Sequence, residues 1–272
     1  MITILLAALF LLLGSAVGAV INWFAGSVNG EGEFHLKAPA CPKCGAQRSW
    51  KHLLPLLGFF MARGRCPQCS EPLSARIPVV EFLTGALFAA LYLGYGMTWE
   101  LLILLVYASL LIVLFITDYE HFLLPNVVTY PGILLAAAVA LLVTLLQYPL
   151  PWALSFAGQG FMAIFNNFFL SAMAGGVSGA LLLLLVVILS RGGMGMGDVK
   201  LAGLLGLMVG FPLVFIALFI GIWAGGLVAI ALLISGKKKR REMLPFGPFL
   251  CIGGLAALLW GRQILAWYLG LI

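Results

Sequence analysis

The sequence predicts an all-α, polytopic membrane protein with about eight transmembrane helices. Of its 272 residues, 63% are hydrophobic and 9% are charged, whereas a soluble domain is about 25% charged. The apolar residues form runs long enough to cross a bilayer, and many of the basic residues cluster between these runs. A soluble protein of this size could not bury so much apolar surface, and a disordered chain would be poor in it.

Each membrane span needs about 20 mostly apolar residues to cross a hydrocarbon core ~30 Å thick. The first run, 2–24, lacks the basic start of a signal peptide and is too long for a signal peptide's apolar region, so we interpret it as a span. Similar single spans are predicted for 78–95, 100–117, 127–147, 166–190 and 246–270.

The apolar run 201–234 is predicted to be a hairpin of two spans, the first of them short. One helix of 34 residues would be roughly 50 Å long, too long for a single crossing. Gly210 and Pro212 break the run near its middle. The hairpin also places the basic segment 25–77 and the cluster Lys237–Arg241 on one side of the membrane, as the positive-inside rule requires of cytoplasmic loops.

The net charge of +6 is therefore explained by membrane topology, and we expect the lipid bilayer rather than nucleic acid as the partner of these charges. The domain organisation that follows is a first transmembrane helix (1–24), a cytoplasmic segment (25–77) and a transmembrane core (78–272).

Four of the five cysteines form two Cys-x-x-Cys pairs in the cytoplasmic segment, Cys41 with Cys44 and Cys66 with Cys69. Two such pairs, 21 residues apart, predict a structural zinc site with four thiolate ligands and no open position. Two disulfides are the alternative, which a reducing cytoplasm disfavours. The fifth cysteine, Cys251, lies in an apolar span and is interpreted as a small hydrophobic residue.

The only two aspartates, Asp118 and Asp198, are predicted to lie at the same membrane boundary. Ionisable groups at membrane depth are costly and indicate function. An adjacent carboxyl pair shares a proton, so that one member activates water while the other polarises a carbonyl, which is aspartic-protease chemistry. The glycines beside Asp198, including Gly195 and Gly197, would let a substrate backbone come close.

Three further polar residues near these sites have open roles. Glu81, just inside the second span, either binds a basic substrate segment or pairs with Arg76. Lys200 is interpreted as extending to the membrane interface, on a different side of the helix from Asp198. His121 is either a base or a polar interface residue.

In combination, these motifs resemble the bacterial type IV prepilin peptidases, membrane aspartic proteases that also N-methylate their product. The resemblance runs nearly end to end, through both cysteine pairs and through these elements: Gly18–Asn22, Leu73–Glu81, Asp118 with Leu124-Pro125, Gly195–Leu201 and Pro245–Phe249. The chain departs from the family pattern at Asn126, where an aspartate is common, and at Trp23–Ala25, where Arg-Leu-Pro is common.

The resemblance implies prepilin or pseudopilin substrates, whose short basic leader is cleaved at the cytoplasmic face of the bacterial inner membrane. It also implies methylation of the new N-terminal residue from S-adenosylmethionine, although the sequence has no glycine-rich methyltransferase motif. Two alternatives are a presenilin-like intramembrane protease and a proton-coupled transporter with a zinc-stabilised cap. A membrane anchor for assembly partners would not need the aspartate pair.

Overall fold

The computed structural model describes residues 1–28, 44–45, 57–61, 64–66, 68–154, 161–189, 194–236 and 245–270, and within them the fold is all-helical, as predicted. These ranges contain one 3-10 helix, Phe161–Asn166, and nine α-helices. The α-helices are α1 (Ile2–Ser27), α2 (Leu57–Met61), α3 (Arg76–Tyr95), α4 (Trp99–His121), α5 (Asn126–Leu145), α6 (Phe168–Leu189), α7 (Met196–Val209), α8 (Leu213–Ile234) and α9 (Gly247–Tyr268).

Seven of these helices, all except α2 and α7, are long and apolar enough to cross a membrane. Their ends lie within a few residues of the predicted spans. The eighth predicted span corresponds to α7, whose 14 residues extend only about 21 Å and fall short of a ~30 Å hydrocarbon core.

The predicted break in 201–234 is confirmed, because α7 ends at Val209 and α8 begins at Leu213. Gly210 adopts a positive φ of 80°, which side chains disfavour. Ser171 of α6 stabilises this turn: its hydroxyl donates to the carbonyl of Phe211 at 3.0 Å, and the Phe211 N–H donates to the carbonyl of Ser171 at 3.0 Å. Which loops face the cytoplasm stays a prediction from the basic residues.

The chain forms two compact units, Met1–Val113 and Leu114–Ile272. In the first unit, α1 packs along α3, and Gly14 and Gly85 allow the two backbones to approach closely at this seam. The helix α4 begins in the first unit and ends in the second. The first unit also holds the described part of the cysteine segment.

In the second unit, α7 is the central helix and contacts α5, α6, α8 and α9. Ten of its 14 residues are buried, as expected for a helix whose residues from Leu201 onward are apolar on all sides. Gly206 of α7 packs directly on the backbone of Gly175 in α6, so that any side chain at Gly206 would overlap it. The first turn of α7, which carries Asp198, is therefore held on the most enclosed helix of this unit.

Candidate active site

Asp118 lies in the last turn of α4 and is only 6% exposed. Its Oδ2 accepts a hydrogen bond of 2.9 Å from the backbone N–H of Gly247, the first residue of α9. The N-terminus of a helix carries unpaired N–H groups and a partial positive charge, so it stabilises an ionised carboxylate. The α9 N-terminus thus offsets the unfavourable position of an aspartate at the C-terminus of its own helix.

Gly247 is needed because the Asp118 carboxyl lies directly against its Cα. A Cβ at Gly247 would come within 2.7 Å of Asp118 Oδ2 and 2.9 Å of its Cγ. Pro248 follows at a position in the first helical turn, where a missing backbone N–H breaks no hydrogen bond within the helix. The segment Pro245–Phe249 therefore starts a helix and lets its first N–H reach the carboxyl.

Asp198 is the third residue of α7 and is 9% exposed. Its side chain is close enough to Asp118 for the two carboxyl groups to interact electrostatically. The structure therefore brings together the only two aspartates of the sequence, which are 80 residues apart. Their catalytic role stays a prediction.

The two glycines predicted to contact substrate differ in their surroundings. Gly195, which precedes the first residue of α7, is exposed, and the nearest heavy atom that a Cβ there would meet is 3.9 Å away. A Cβ at Gly197 would instead lie 3.3 Å from the Leu124 side chain, which belongs to the connection between α4 and α5. The turn before Asp198 thus has free space beside Gly195, whereas at Gly197 it packs against Leu124.

Lys200 connects α7 to the start of α5. Its ammonium group donates a 2.9 Å hydrogen bond to Oδ1 of Asn126 and lies 4.9 Å from the centroid of the Tyr130 ring. The predicted role of Lys200, extension to the interface, did not anticipate this pairing with the residue that departs from the family pattern. With the Gly197–Leu124 contact, the bond joins the segment after Asp118 to the segment that carries Asp198.

Glu81, the third predicted substrate-binding residue, lies in the first unit and is 6% exposed. It occupies the second turn of α3, beside α1. The structure thus places Glu81 and the cysteines in one compact unit and the aspartates with Gly195 and Gly197 in the other. The contribution of Gly247 was not predicted, although the family-like Pro-Phe-Gly-Pro sequence was the signal that could have indicated it.

Three of the four predicted zinc ligands form a cluster. The sulfur atoms of Cys44, Cys66 and Cys69 all lie within 4.8 Å of one another, and no disulfide joins them. The Cys44 and Cys66 sulfurs are 3.9 Å apart, close to the ~3.8 Å expected for two thiolates bound at ~2.3 Å in a tetrahedral zinc site. The fourth predicted ligand, Cys41, is outside the described residues.

A tight turn presents two of these sulfurs. The backbone N–H of Cys66 donates to the Glu71 carbonyl at 2.8 Å, and the Ser70 N–H donates back to the Cys66 carbonyl at 2.9 Å. A single bridge pairs Arg65 with Pro72. These bonds fold the chain around Cys66 and Cys69 so that both sulfurs face the same point as Cys44.

Two protein families match the chain over the regions that hold these two sites. The family described as "Bacterial Peptidase A24 N-terminal domain" matches residues 12–95, and the "Type IV leader peptidase family" matches residues 105–230. No solved structure matches the chain.

Similar curated proteins carry the name "Prepilin leader peptidase/N-methyltransferase". The protein of Legionella pneumophila is 34% identical over 85% of this chain and 75% of its own length. That of Pseudomonas putida is 32% identical over 85% of this chain and 75% of its length, and that of Bacillus subtilis is 29% identical over 85% and 84%. With both family regions matched and relatives above 30% identity covered over three quarters of their length, the chain belongs to the bacterial peptidase A24 family of type IV prepilin leader peptidases.

Proposed function

We propose that this protein cleaves the leader from type IV prepilins or pseudopilins with Asp118 and Asp198, and then N-methylates the new terminus. The observation that supports peptidase activity most directly is the proximity of the only two aspartates in the sequence. Both are nearly buried, and one accepts a hydrogen bond from the first N–H of α9.

In this mechanism the two carboxyl groups share one proton, because two neighbouring carboxylates cannot both ionise cheaply in a buried site. The Gly247 N–H favours the negative charge on Asp118, so we place the proton on Asp198. Asp118 takes a proton from water as the water oxygen attacks the scissile carbonyl carbon, while Asp198 donates a hydrogen bond to the carbonyl oxygen. The intermediate collapses as the carbon–nitrogen bond breaks, and the leaving amine takes up the proton.

The open turn at Gly195 supports a role in substrate binding, because an extended backbone can approach Asp198 there without meeting a side chain. The substrate has a basic leader, whereas the protein has a net charge of +6, so attraction must come from local acids. Glu120, two residues after Asp118 in the last turn of α4, is the acid of this unit that we assign to leader binding. Cleavage at the cytoplasmic face of the bacterial inner membrane follows from the sequence-predicted topology.

The cysteine cluster fits a structural Zn²⁺. Its donors are thiolate sulfurs, which zinc prefers, and we propose that Cys41 completes the set with Cys44, Cys66 and Cys69. A closed site of this kind supplies folding free energy to a segment that has little core of its own, and it performs no step of the cleavage.

S-adenosylmethionine, when bound, supplies an electrophilic methyl group. We place the methyl transfer in the first unit, because the matching N-terminal family region lies there, with the buried carboxyl group of Glu81. A buried carboxylate suits this transfer because its negative charge offsets the positive charges of the methyl donor and of the incoming ammonium group.

The test is incubation of membranes containing the protein with a prepilin and S-adenosylmethionine, followed by mass spectrometry of the product. We expect a cut directly before the apolar helix and the added mass of one methyl group. Asp118→Asn and Asp198→Asn should each stop the cut, whereas Tyr119→Phe, at the exposed neighbour of Asp118, should retain it. A cut inside the apolar helix would favour the presenilin-like alternative, and ion flux without cleavage would favour the transporter.

A further inference from the structure

Asn22, on α1, has a buried carbonyl oxygen with no hydrogen-bond partner. The residue is 8% exposed, and its Nδ2 donates to the backbone carbonyl of Ile77 on α3 at 3.0 Å. Its Oδ1 is fully buried and receives no hydrogen bond. Because a buried acceptor without a donor is costly, such an atom in a native protein requires an explanation.

The buried hydroxyl groups of the same two helices, by contrast, are satisfied within their own helices. Ser15 and Ser27 on α1 and Thr84 on α3 each donate to a carbonyl one turn earlier in their own helix, at 2.9, 2.9 and 2.7 Å. Asn22 Oδ1 is an acceptor, so a ligand that donates an N–H or O–H to it would satisfy it.

A buried carboxyl group lies on the next turn of the same seam. Glu81 is one helical turn beyond Ile77 on α3, and Gly18 is one turn before Asn22 on α1. A Cβ at Gly18 would come within 2.7 Å of the Glu81 Cα, so the two helices touch at this level. Asn22 and Glu81 thus occupy adjacent turns, about 5.4 Å apart along the axis, close to the ends of α1 and α3 that flank the cysteine segment.

An amide oxygen one helical turn from a carboxylate favours a ligand that donates hydrogen bonds and carries positive charge. A primary ammonium group has three donors, and it is the only group that peptide cleavage creates on the apolar product. The adenine amino group of the methyl donor shares the N–H chemistry but carries no charge.

We propose that Asn22 Oδ1 binds the new α-amino group of the cleaved pilin and positions it for methylation, an inference that rests on the proposed function. The bound ammonium group first passes one proton to the Glu81 carboxylate, which leaves a neutral amine. The amine nitrogen then uses its lone pair to bond the methyl carbon, while the carbon–sulfur bond of the donor breaks and its electron pair stays on sulfur. The product is a methylammonium group and the neutral sulfide.

The first experiment measures equilibrium binding without any methyl donor, using the full-length protein and a peptide of the mature pilin N-terminus. The wild type should bind the free-amine peptide about 10- to 100-fold more tightly than its N-acetylated form, the range for a hydrogen bond to a charged group. Asn22→Leu, which has a similar shape, should lose this preference. Asn22→Asp should keep it, because it retains an acceptor oxygen, and Thr84→Val is the matched control that should also keep it.

The second readout separates this inference from the proposed function. Asn22→Leu should cleave prepilin at the wild-type rate and yield unmethylated product. Equal methylation by Asn22→Leu would overturn the inference. Loss of cleavage in both Asn22 variants would also overturn it, because that result would assign Asn22 to the α1–α3 contact alone. Weakened binding of S-adenosylhomocysteine with intact peptide binding would overturn it as well, because that result would assign Oδ1 to the methyl donor. If the wild type itself adds no methyl group, the proposed methyl transfer fails whatever the variants do.

Discussion

At the scale of single residues, the position of the Asp118 carboxyl group depends on a glycine 129 residues away in the sequence. Gly247 supplies the N–H that binds Oδ2, and its lack of a side chain leaves the space that the carboxyl occupies. The residue therefore has a positioning role that no other amino acid can fill without moving Asp118.

We expect Gly247→Ala to lower the rate of prepilin cleavage by about 10²-fold, because a displacement of about 1 Å in a reacting group has an effect of this size. The added methyl group would force the carboxyl away from its present position, 2.7 Å from where the Cβ would lie. The control is Gly226→Ala in α8, where a Cβ meets nothing within 4 Å. Equal rates for the two variants would show that Gly247 does not position the carboxyl.

The bond between Lys200 and Asn126 gives a second residue-scale prediction. Aspartate is the residue common in the family at position 126. Replacing Asn126 with aspartate should turn the hydrogen bond from Lys200 into an ion pair and stabilise the protein by about 0.5 kcal/mol. The gain should shrink in a Lys200→Met background, measured as thermal unfolding of all four proteins of the cycle. An equal gain in both backgrounds would show that it comes from the α5 N-terminus alone.

At the scale of elements, α7 is held in place by close backbone contact with α6. A Cβ at Gly206 would overlap the Gly175 backbone, so helix separation is the only way to accommodate it. We expect Gly206→Ala to destabilise the protein by about 2 kcal/mol or more. Gly203→Ala, one turn earlier on α7, should be tolerated, since its Cβ would lie 3.6 Å from the nearest atom. Similar thermal unfolding of the two variants would contradict this packing.

The cysteine segment is the second element whose role can be measured. The purified protein should contain one zinc ion per chain, and Cys66→Ser should remove it because three thiolates bind zinc less tightly than four. Cys251→Ser, in α9, should retain the metal. Elemental analysis of both variants is the measurement, and zinc unaffected by Cys66→Ser would exclude the cluster as its site.

For the molecule as a whole, the sequence predicted the eight longer α-helices well because each forms from a largely continuous apolar run, whereas the short α2 was not predicted. The break between α7 and α8 was recognisable because Gly210 and Pro212 interrupt such a run. The pairing of Asp118 with Asp198 was recognisable because the chain has no other aspartate, and the alternation of spans predicted the same depth for both.

The packing that completes the site could not be predicted, because it joins segments with no local pattern in common. Nothing in the apolar run of α7 indicates that this helix lies against four other helices. Because the run is apolar on every face, the sequence does not show which face packs against which neighbour. The same holds for the contacts between Gly247 and Asp118 and between Lys200 and Asn126. The open acceptor of Asn22 depends on which groups surround it after packing, and so it is visible only in the structure.

The prepilin cleavage rates of Asp118→Asn, Asp198→Asn and the double variant test the shared two-aspartate site more directly than any other measurement. Residues that act as one unit are not additive, so we expect each single variant to lose at least ~10³-fold in rate and the double variant to be no slower than either. Zinc content and thermal unfolding should stay near those of the wild type. A single variant that cleaves within about tenfold of the wild type, or a double variant whose losses multiply, would contradict a shared site.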